Sequence, residues 1–203
     1  MKNTPGGGAN PNFDARSRVP ALFSAGLDRA PFAIARRIPL ECSLTPAMTD
    51  SSARIVLGSD HAGYRLKESI RKYLQAAGYT VDDVGPDSEA SVDYPDFGAA
   101  AGRRVAGGQN DFGIVICGTG IGISIAANKI AGIRAALVAD PETARLAREH
   151  NDANVLALAG RSLSDDRAIS IVQEFLRTPF AGGRHERRVE KIALLDRARE
   201  QSR

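Results

Sequence analysis

The stretch from Val115 to Ser124, VICGTGIGIS, places one cysteine between an apolar run and three alternating glycines. The glycine-rich turn would present unpaired backbone N–H groups at the start of a helix, where the helix dipole also favours an anion. A thiol beside a helix N-terminus ionises more readily than a free thiol. A partly ionised Cys117 beside such a turn fits either nucleophilic attack or proton abstraction next to a carbonyl. In proton abstraction, the N–H groups would stabilise the enediolate oxygen that forms.

Each of these features also has an ordinary structural explanation. A lone cysteine that ends an apolar strand is usually a small buried hydrophobe, and Gly-x-Gly is often only a tight strand-to-helix turn. A dinucleotide-binding turn would need a glycine where Ile123 stands, and it would follow the first strand rather than the third. Asp140, which ends the fourth predicted strand, is the one residue that this alternative could use as a ribose partner.

Composition and charge exclude several classes of protein. The chain has 203 residues, enough for one α/β domain with an appendage, and a hydrophobic fraction of 43%. It has no unbroken apolar run of about 20 residues, so we expect no membrane partner. The net charge of +3 is concentrated towards the two ends, so we expect no nucleic-acid partner. Cys42 and Cys117 have very different surroundings, which argues against a disulfide and favours the cytoplasm.

The chain divides near residue 53. Residues 1–53 are rich in Gly, Pro and Arg and have no sustained periodicity, so we expect a disordered N-terminal extension. Its acidic residues and its lack of an apolar segment argue against a targeting peptide. Met48 is an alternative start six residues before Arg54, and residues 54–203 form the expected folded domain.

From Arg54 onward, hydrophobic periodicity alternates between strands and helices. The pattern predicts five strands, at 54–59, 80–84, 113–117, 133–139 and 155–159. It predicts helices at 63–77, 95–106, 122–130, 141–149 and 165–177, and a charged helix from about Glu186. Five successive strand–helix units predict an α/β fold with a Rossmann-like, doubly wound, five-stranded parallel sheet in an α/β/α sandwich that ends in a C-terminal helix.

Such a sheet binds ligands at the carboxyl ends of its strands, where the strand order reverses. With the order 2-1-3-4-5, that point lies between the first and third strands. Asp60 and His61 follow the first strand and Cys117 ends the third, so we expect these side chains to face one crevice. Arg161 follows the last strand at the same edge.

His150 lies at the end of a helix that starts at the ligand edge of the sheet and runs back. This placement leaves His150 and Asn151 near the opposite edge, away from Cys117. We therefore expect them to serve the crevice of a second subunit, so that the active site would require a dimer.

Six motifs resemble the sugar-phosphate isomerase family, and within it the ribose-5-phosphate isomerase B group, which stands beside galactose-6-phosphate and allose-6-phosphate isomerases. They are GSDHAG at 58–63, DYPDF at 93–97, ICGTGIGISIAANK at 116–129, GIRAAL at 132–137, EHNDANVLALAGR at 149–161 and GGRHERRV at 182–189. The resemblance covers Arg54 to about Leu194. It implies interconversion of ribose 5-phosphate and ribulose 5-phosphate, a step of the pentose phosphate pathway, without metal or cofactor. It also implies a homodimer with shared sites, which could pair further into a tetramer.

By position, the resemblance implies that Cys117 is the base that moves a proton between C1 and C2. Some members of the family use a glutamate a few positions later, but Ser124 and its apolar neighbours offer no carboxylate here. His150 matches the acid that assists ring opening. The other matches are substrate-binding residues: Asp60, His61 and Asn151 near the sugar, Gly118, Thr119, Gly120, Ile121 and Gly122 around the enediolate, and Arg161, Arg184 and Arg188 at the phosphate.

Other interpretations stay open for the activity and for the arginines. A six-carbon sugar-phosphate isomerase would share the base and the turn but would need more room at the far end of the crevice. A non-catalytic sugar-phosphate or nucleotide-binding module would bind its ligand without turnover. Arg184 and Arg188 lie four residues apart, which on one helix face lets two guanidiniums converge on a phosphate, although a solvated basic face is the simpler explanation. The spacing of His and Cys residues matches no metal site.

Overall fold

The structure is a computed structural model that describes residues 52–201. All but the last two residues of the expected N-terminal extension, and the alternative start at Met48, lie outside the described residues. The strands are β1 Arg54–Ser59, β2 Thr80–Asp83, β3 Phe112–Cys117, β4 Ala135–Leu137 and β5 Val155–Ala159. The helices are α1 Tyr64–Ala76, α2 Tyr94–Ala106, α3 Ile121–Ala127, α4 Pro141–Asn151, α5 Asp165–Arg177 and α6 Glu186–Gln201, with a 3-10 turn at Gly183–His185.

The five strands form one sheet in which every neighbouring pair is parallel. The predicted Rossmann-like α/β sandwich is therefore confirmed. The expected strand order 2-1-3-4-5 is wrong at its last two positions, because the order is β2-β1-β3-β5-β4. The first four residues of β5 are fully buried, whereas β4 has three residues and its Leu137 is 41% exposed. A continuously buried apolar strand belongs inside a parallel sheet, so β4 takes the edge.

Alternating side chains along the strands bury one hydrophobic cluster on each face of the sheet. On one face, Ile55 and Leu57 of β1 pack with the apolar sides of α1, α4 and α5. On the other face, Val56 of β1 and Val115 of β3 pack with α2 and α3. This division follows from right-handed crossovers, because the connections through α2 and α3 run in the opposite direction along the sheet from those through α1 and α4.

Asp140 has a structural task in this fold. It is the N-cap residue of α4, where its carboxylate accepts hydrogen bonds from the backbone N and the hydroxyl of Thr143, each at 2.8 Å. A carboxylate that caps a helix satisfies a backbone donor that would otherwise have no partner. The residue that the dinucleotide alternative needs is therefore engaged in helix capping.

The central strands end side by side at one edge. In the sheet register, Ser59 of β1 lies beside Ile116 of β3, and Cys117 of β3 lies beside Ala159 of β5. Three loops therefore start at the carboxyl edge, each one strand spacing, about 4.8 Å, from the next. This arrangement keeps the strand reversal between β1 and β3, where the ligand crevice is expected.

Candidate active site

Cys117 ends β3 with its side chain turned into the apolar cluster between the sheet and helices α2 and α3. The residue is 4% exposed, and its carbonyl accepts a hydrogen bond from the backbone N of Gly160 at 2.9 Å. Gly160 follows β5, so the loop after β5 fixes the backbone at the thiol. The thiol is therefore almost fully shielded from solvent at the carboxyl end of β3.

The turn after the thiol needs glycine at position 120. Gly120 has a φ of 74°, and a β-carbon there would collide with the side chain of Leu137 and the backbone of Leu158. Thr119 Oγ1 accepts a hydrogen bond from the N of Ile121 at 3.3 Å, and Ser124 N is the first to donate back into α3, to the Gly120 carbonyl at 3.2 Å. The N–H groups between them lie in the first helical turn, which supplies them with no acceptor.

Asp60 and His61 occupy the neighbouring loop, after β1. The backbone N of Asp60 donates to the Ile116 carbonyl at 3.0 Å, which joins this loop to β3. The buried Asp60 carboxylate accepts from the N of Gly63 at 2.9 Å. A β-carbon at position 63 would lie 2.6 Å from the Ile116 carbonyl oxygen, so this close approach requires glycine. The His61 ring is held from another loop, where the N of Val92 donates to Nδ1 at 3.3 Å.

Arg161 lies at the same edge. Its backbone N donates to the Gly118 carbonyl at 3.2 Å, and a β-carbon at position 118 would lie 3.2 Å from its Nε. The guanidinium therefore rests against the first residue of the turn. Asp60, His61, Cys117, the turn at 118–122 and Arg161 are thus brought together within one chain, as the topology predicts.

The remaining predicted residues lie elsewhere. His150 and Asn151 end α4, and Asn154, just beyond them, accepts at its carbonyl from the N of Gly113 at the start of β3. This is the amino edge of the sheet. From Gly113 to Cys117 the strand runs four residues, roughly 13 Å. His150 therefore does not reach the thiol of its own chain.

Arg184 and Arg188 join His150 at the amino edge. The His150 ring stacks on the His185 ring at a centroid distance of 4.2 Å and an interplanar angle of 4°. Arg184 lies in the 3-10 turn and its Nε donates to His185 Nε2 at 3.3 Å, while Arg188 lies in the first turn of α6. The expectation that both arginines share one helix face is wrong, because Arg184 lies in the 3-10 turn and only Arg188 lies in α6. They still share a basic cluster with two histidines.

Burial lowers the pKa of His185, and the charges of His150, Arg184 and Arg188 lower it further, against a smaller opposing effect of Glu149. The nearby guanidiniums of Arg184 and Arg188 disfavour a further positive charge on the stacked rings unless a counter-ion is bound. His185 is therefore neutral near pH 7. A phosphate in this cluster would supply the missing negative charge.

We predict that the free energy of unfolding falls as the pH is lowered through the ordinary histidine pKa of 6.5. Below that pH the unfolded chain gains a proton on this side chain that the folded chain resists, whereas above it neither state is charged. Urea unfolding between about pH 7.5 and pH 5.5 measures the slope. His185→Gln should flatten it. An equal slope in both proteins would assign the pH dependence to other groups.

Two contacts at the site were not assigned from the sequence. Tyr94 begins α2 and is 41% exposed, and a β-carbon at position 122 would lie 2.6 Å from its ring. It therefore covers the turn beside the thiol. Tyr94 belongs to the DYPDF motif, but the sequence does not predict that its ring contacts Gly122. The bond from Val92 to His61 likewise joins residues that are 31 positions apart.

Large apolar side chains are exposed around the same turn. Ile121 and Ile125, one helical turn apart on α3, are 53% and 54% exposed. Leu137 and Tyr94, which border the turn, are each 41% exposed. Exposed apolar side chains grouped beside a functional site are typical of a protein interface.

Two kinds of feature are absent from the described residues. Among residues 52–201, no group of three His, Cys, Asp or Glu side chains is arranged to hold a metal ion. None of the helices in that range combines the length and the apolar character that crossing a membrane requires.

Comparison with known proteins gives consistent matches. A family model described as Ribose/Galactose Isomerase matches residues 55–192. Ribose-5-phosphate isomerase B of Escherichia coli is 46% identical over 146 residues, which are 72% of this chain and 98% of that protein. The structure of the Clostridium thermocellum isomerase B is 52% identical, with a TM-score of 0.71 over 71% of this chain and 98% of that chain. The Mycoplasma genitalium isomerase B, solved with bound ribulose 5-phosphate, is 44% identical, with a TM-score of 0.68 over 71% of this chain and 96% of that chain.

Proposed function

This chain belongs to the ribose/galactose isomerase family, and we propose that it interconverts ribose 5-phosphate and ribulose 5-phosphate through an enediolate. The observation that carries the proposal is the position of Cys117, a buried thiol that leads directly into a glycine turn with free first-turn N–H groups. The relatives named above support the choice of sugar, since one of them was solved with ribulose 5-phosphate.

The reaction needs one base and one anion site. The Cys117 thiolate takes the proton from C2 of the open-chain aldose, and the C2–H electron pair forms the C1=C2 double bond while the carbonyl oxygen O1 takes the negative charge. The thiol then returns the proton to C1 as a proton passes from O2 to O1, which leaves the ketone at C2. Preorganised N–H groups stabilise the enediolate more than the substrate, which lowers the barrier.

The other residues bind and open the sugar. Asp60 and His61 hold the hydroxyl end beside the thiol, and His150 protonates the ring oxygen when the ring opens, with Asn151 beside it. Arg161, Arg184 and Arg188 bind the phosphate through charge-assisted hydrogen bonds. These roles rest on the match to the family motifs and on the two clusters of side chains described above.

We infer that a second copy of the chain completes each site, because the two clusters lie at opposite edges of the sheet. A homodimer in which the amino edge of one protomer faces the carboxyl edge of its partner would bring His150 to Cys117. The apolar side chains of α3 and their neighbours offer the surface for such a contact. The substrate pair belongs to central carbohydrate metabolism, so we place the enzyme in the cytoplasm.

The proposal is tested by steady-state kinetics of the purified full chain with ribose 5-phosphate, allose 6-phosphate and galactose 6-phosphate, each with a chelator. We expect the highest kcat/KM for ribose 5-phosphate and no effect of the chelator. A higher kcat/KM for either six-carbon sugar would change the substrate but not the mechanism. Binding of all three without turnover would identify a non-catalytic binding module.

Replacing Arg161 with lysine should raise KM for ribose 5-phosphate about tenfold, because an ammonium cannot bind a phosphate through two parallel N–H donors. kcat should change less, since the group binds substrate and transition state alike. Arg167→Lys, an exposed position at the start of α5, is the matched control. An unchanged KM in Arg161→Lys would remove this residue from the phosphate site.

A further inference from the structure

Lys67 has a fully buried side chain, and the proposed mechanism does not use it. Its side chain is 1% exposed although it carries an ammonium group. Nζ donates to Asp83 Oδ2 at 2.5 Å and to the Pro86 carbonyl at 3.0 Å, and it lies 5.4 Å from the centroid of the Tyr64 ring. Lys67 therefore joins α1 to the loop that follows β2.

The same carboxylate extends this connection towards the active site. Asp83 Oδ1 accepts from the backbone N of Gly85 at 2.8 Å, and the Gly85 carbonyl accepts from the N of Ser59 at 3.0 Å. Ser59 is the residue before Asp60, at the end of β1. A chain of hydrogen bonds thus runs from the buried ammonium to the backbone that carries the site.

The far end of the loop holds His61 directly. Val92 N donates to Nδ1 of the ring, so Nδ1 is an acceptor and the proton of the neutral ring lies on Nε2. Midway along the loop, Arg65 of α1 pairs with Glu89, but both side chains are largely exposed and such pairs stabilise little. Among the described residues, Lys67 makes the only buried side-chain hydrogen bond from α1 to this loop.

We propose that Lys67 is a positioning residue of the isomerase: it fixes the loop at 83–92 so that Val92 holds His61 as the Nε2–H tautomer facing the substrate. The expected effect on catalysis rests on the proposed function, whereas the expected tautomer of His61 does not. A buried ion pair contributes little net stability compared with an apolar replacement. Lys67 is therefore better explained by the geometry that it imposes than by the stability that it adds.

The direct test is the imidazole nitrogen spectrum of protein labelled with 15N-histidine, recorded near pH 8. The chain has three histidines, so His61→Gln assigns the relevant pair of signals. We expect wild-type His61 to show a protonated Nε2 and an unprotonated Nδ1. A protonated Nδ1 in the wild-type protein would overturn the proposal without recourse to any variant of Lys67.

The variants test the link to Lys67. Lys67→Met should keep the fold, lose the fixed tautomer of His61 and lower kcat/KM for ribose 5-phosphate about 10- to 100-fold, the range expected for a misplaced substrate-contacting group. Lys67→Arg, which keeps a cationic donor, should recover part of the loss. Lys72→Met, an exposed lysine of the same helix, should change neither readout. A folded Lys67→Met protein with wild-type His61 signals and activity would overturn the proposal.

A second pair of variants applies if Lys67→Met does not fold. Val92→Pro removes the N–H that donates to His61, whereas Val92→Ala keeps it. We expect only the proline variant to lose the fixed tautomer and activity, and equal behaviour of the two would overturn the inference. A wild-type protein with the expected tautomer but without turnover of ribose 5-phosphate would contradict the proposed function and leave the positioning of His61 intact.

Discussion

Replacing Cys117 with alanine should reduce kcat for ribose 5-phosphate by about 10³-fold or more and leave the fold unchanged. General-base catalysis contributes about 10²- to 10⁴-fold, and no carboxylate follows within the turn to replace the thiolate. Alanine fits the position because the side chain is small and packs in an apolar cluster. The measurement is kcat at saturating substrate, with circular dichroism to confirm the fold.

Cys117→Ser is the informative control, because it keeps a proton-bearing group of similar size that is far less acidic. We expect it to be almost as inactive as the alanine variant. Alkylation of the wild-type thiol should abolish turnover, and substrate should slow the labelling. Full turnover in Cys117→Ala, or in fully alkylated protein, would remove the thiol from the mechanism and leave it as a buried hydrophobe.

Mixing two inactive variants should restore activity. The Cys117→Ala variant lacks the base at the carboxyl edge, and the His150→Ala variant lacks the acid at the amino edge. In our proposal, each active site takes its base from one protomer and its acid from the other. A mixed dimer then has one intact site and one doubly defective site. Random exchange of subunits makes half of the dimers mixed, so about a quarter of the wild-type activity should return.

The matched control mixes Cys117→Ala with Arg161→Ala. Both residues lie at the carboxyl edge of the same chain, where Arg161 rests against Gly118. We therefore expect one protomer to supply both residues to a given site. If each site takes Cys117 and Arg161 from the same chain, every site in this mixture lacks one of the two groups. Activity should then not rise above that of the Arg161→Ala chains alone. Failure of the Cys117→Ala and His150→Ala mixture to recover activity, despite exchange shown by native mass spectrometry, would contradict the shared site.

Much of this architecture could be predicted from the sequence. Periodicity located five strands, and the parallel α/β topology then placed Asp60, Cys117 and Arg161 at one edge and His150 at the other. These placements depend on strand direction, which successive strand–helix units determine. They do not depend on whether β4 or β5 is the outermost strand of the sheet.

The order of the last two strands was missed for a physical reason. Apart from Arg134, the segment at 133–139 is as apolar as β5, but its strand spans only Ala135–Leu137, and Leu137 remains exposed. Burial is a property of the whole sheet and is not visible in a short apolar run. The 3-10 turn before α6 was missed for a related reason, since Gly182 and Gly183 both adopt positive φ and break the helical spacing.

Contacts between distant loops were also beyond the sequence. The bond from Val92 to His61, the ring of Tyr94 over Gly122 and the pair of buried Lys67 with partly exposed Asp83 all join segments that meet only after folding. Lys67 occupies an apolar position of α1, between Leu66 and Ile70. The neighbouring Glu68 lies 3.4 Å from its Nζ, but the closer carboxylate, Asp83, belongs to β2, and helical periodicity does not identify it.

The central claim is that a proton leaves one carbon and returns to the other through an exchangeable base, which we assign to the Cys117 thiol. Isomerisation in D₂O tests this transfer most directly. A thiol exchanges its proton with solvent, so a proton-shuttle mechanism places deuterium at C1 of ribulose 5-phosphate and, in the reverse reaction, at C2 of ribose 5-phosphate. We predict deuterium at both carbons once the sugars have equilibrated over wild-type enzyme, in the presence of a chelator. Equilibrated sugars with no deuterium at either carbon would contradict the account, because hydrogen would then pass between the carbons without visiting an exchangeable group.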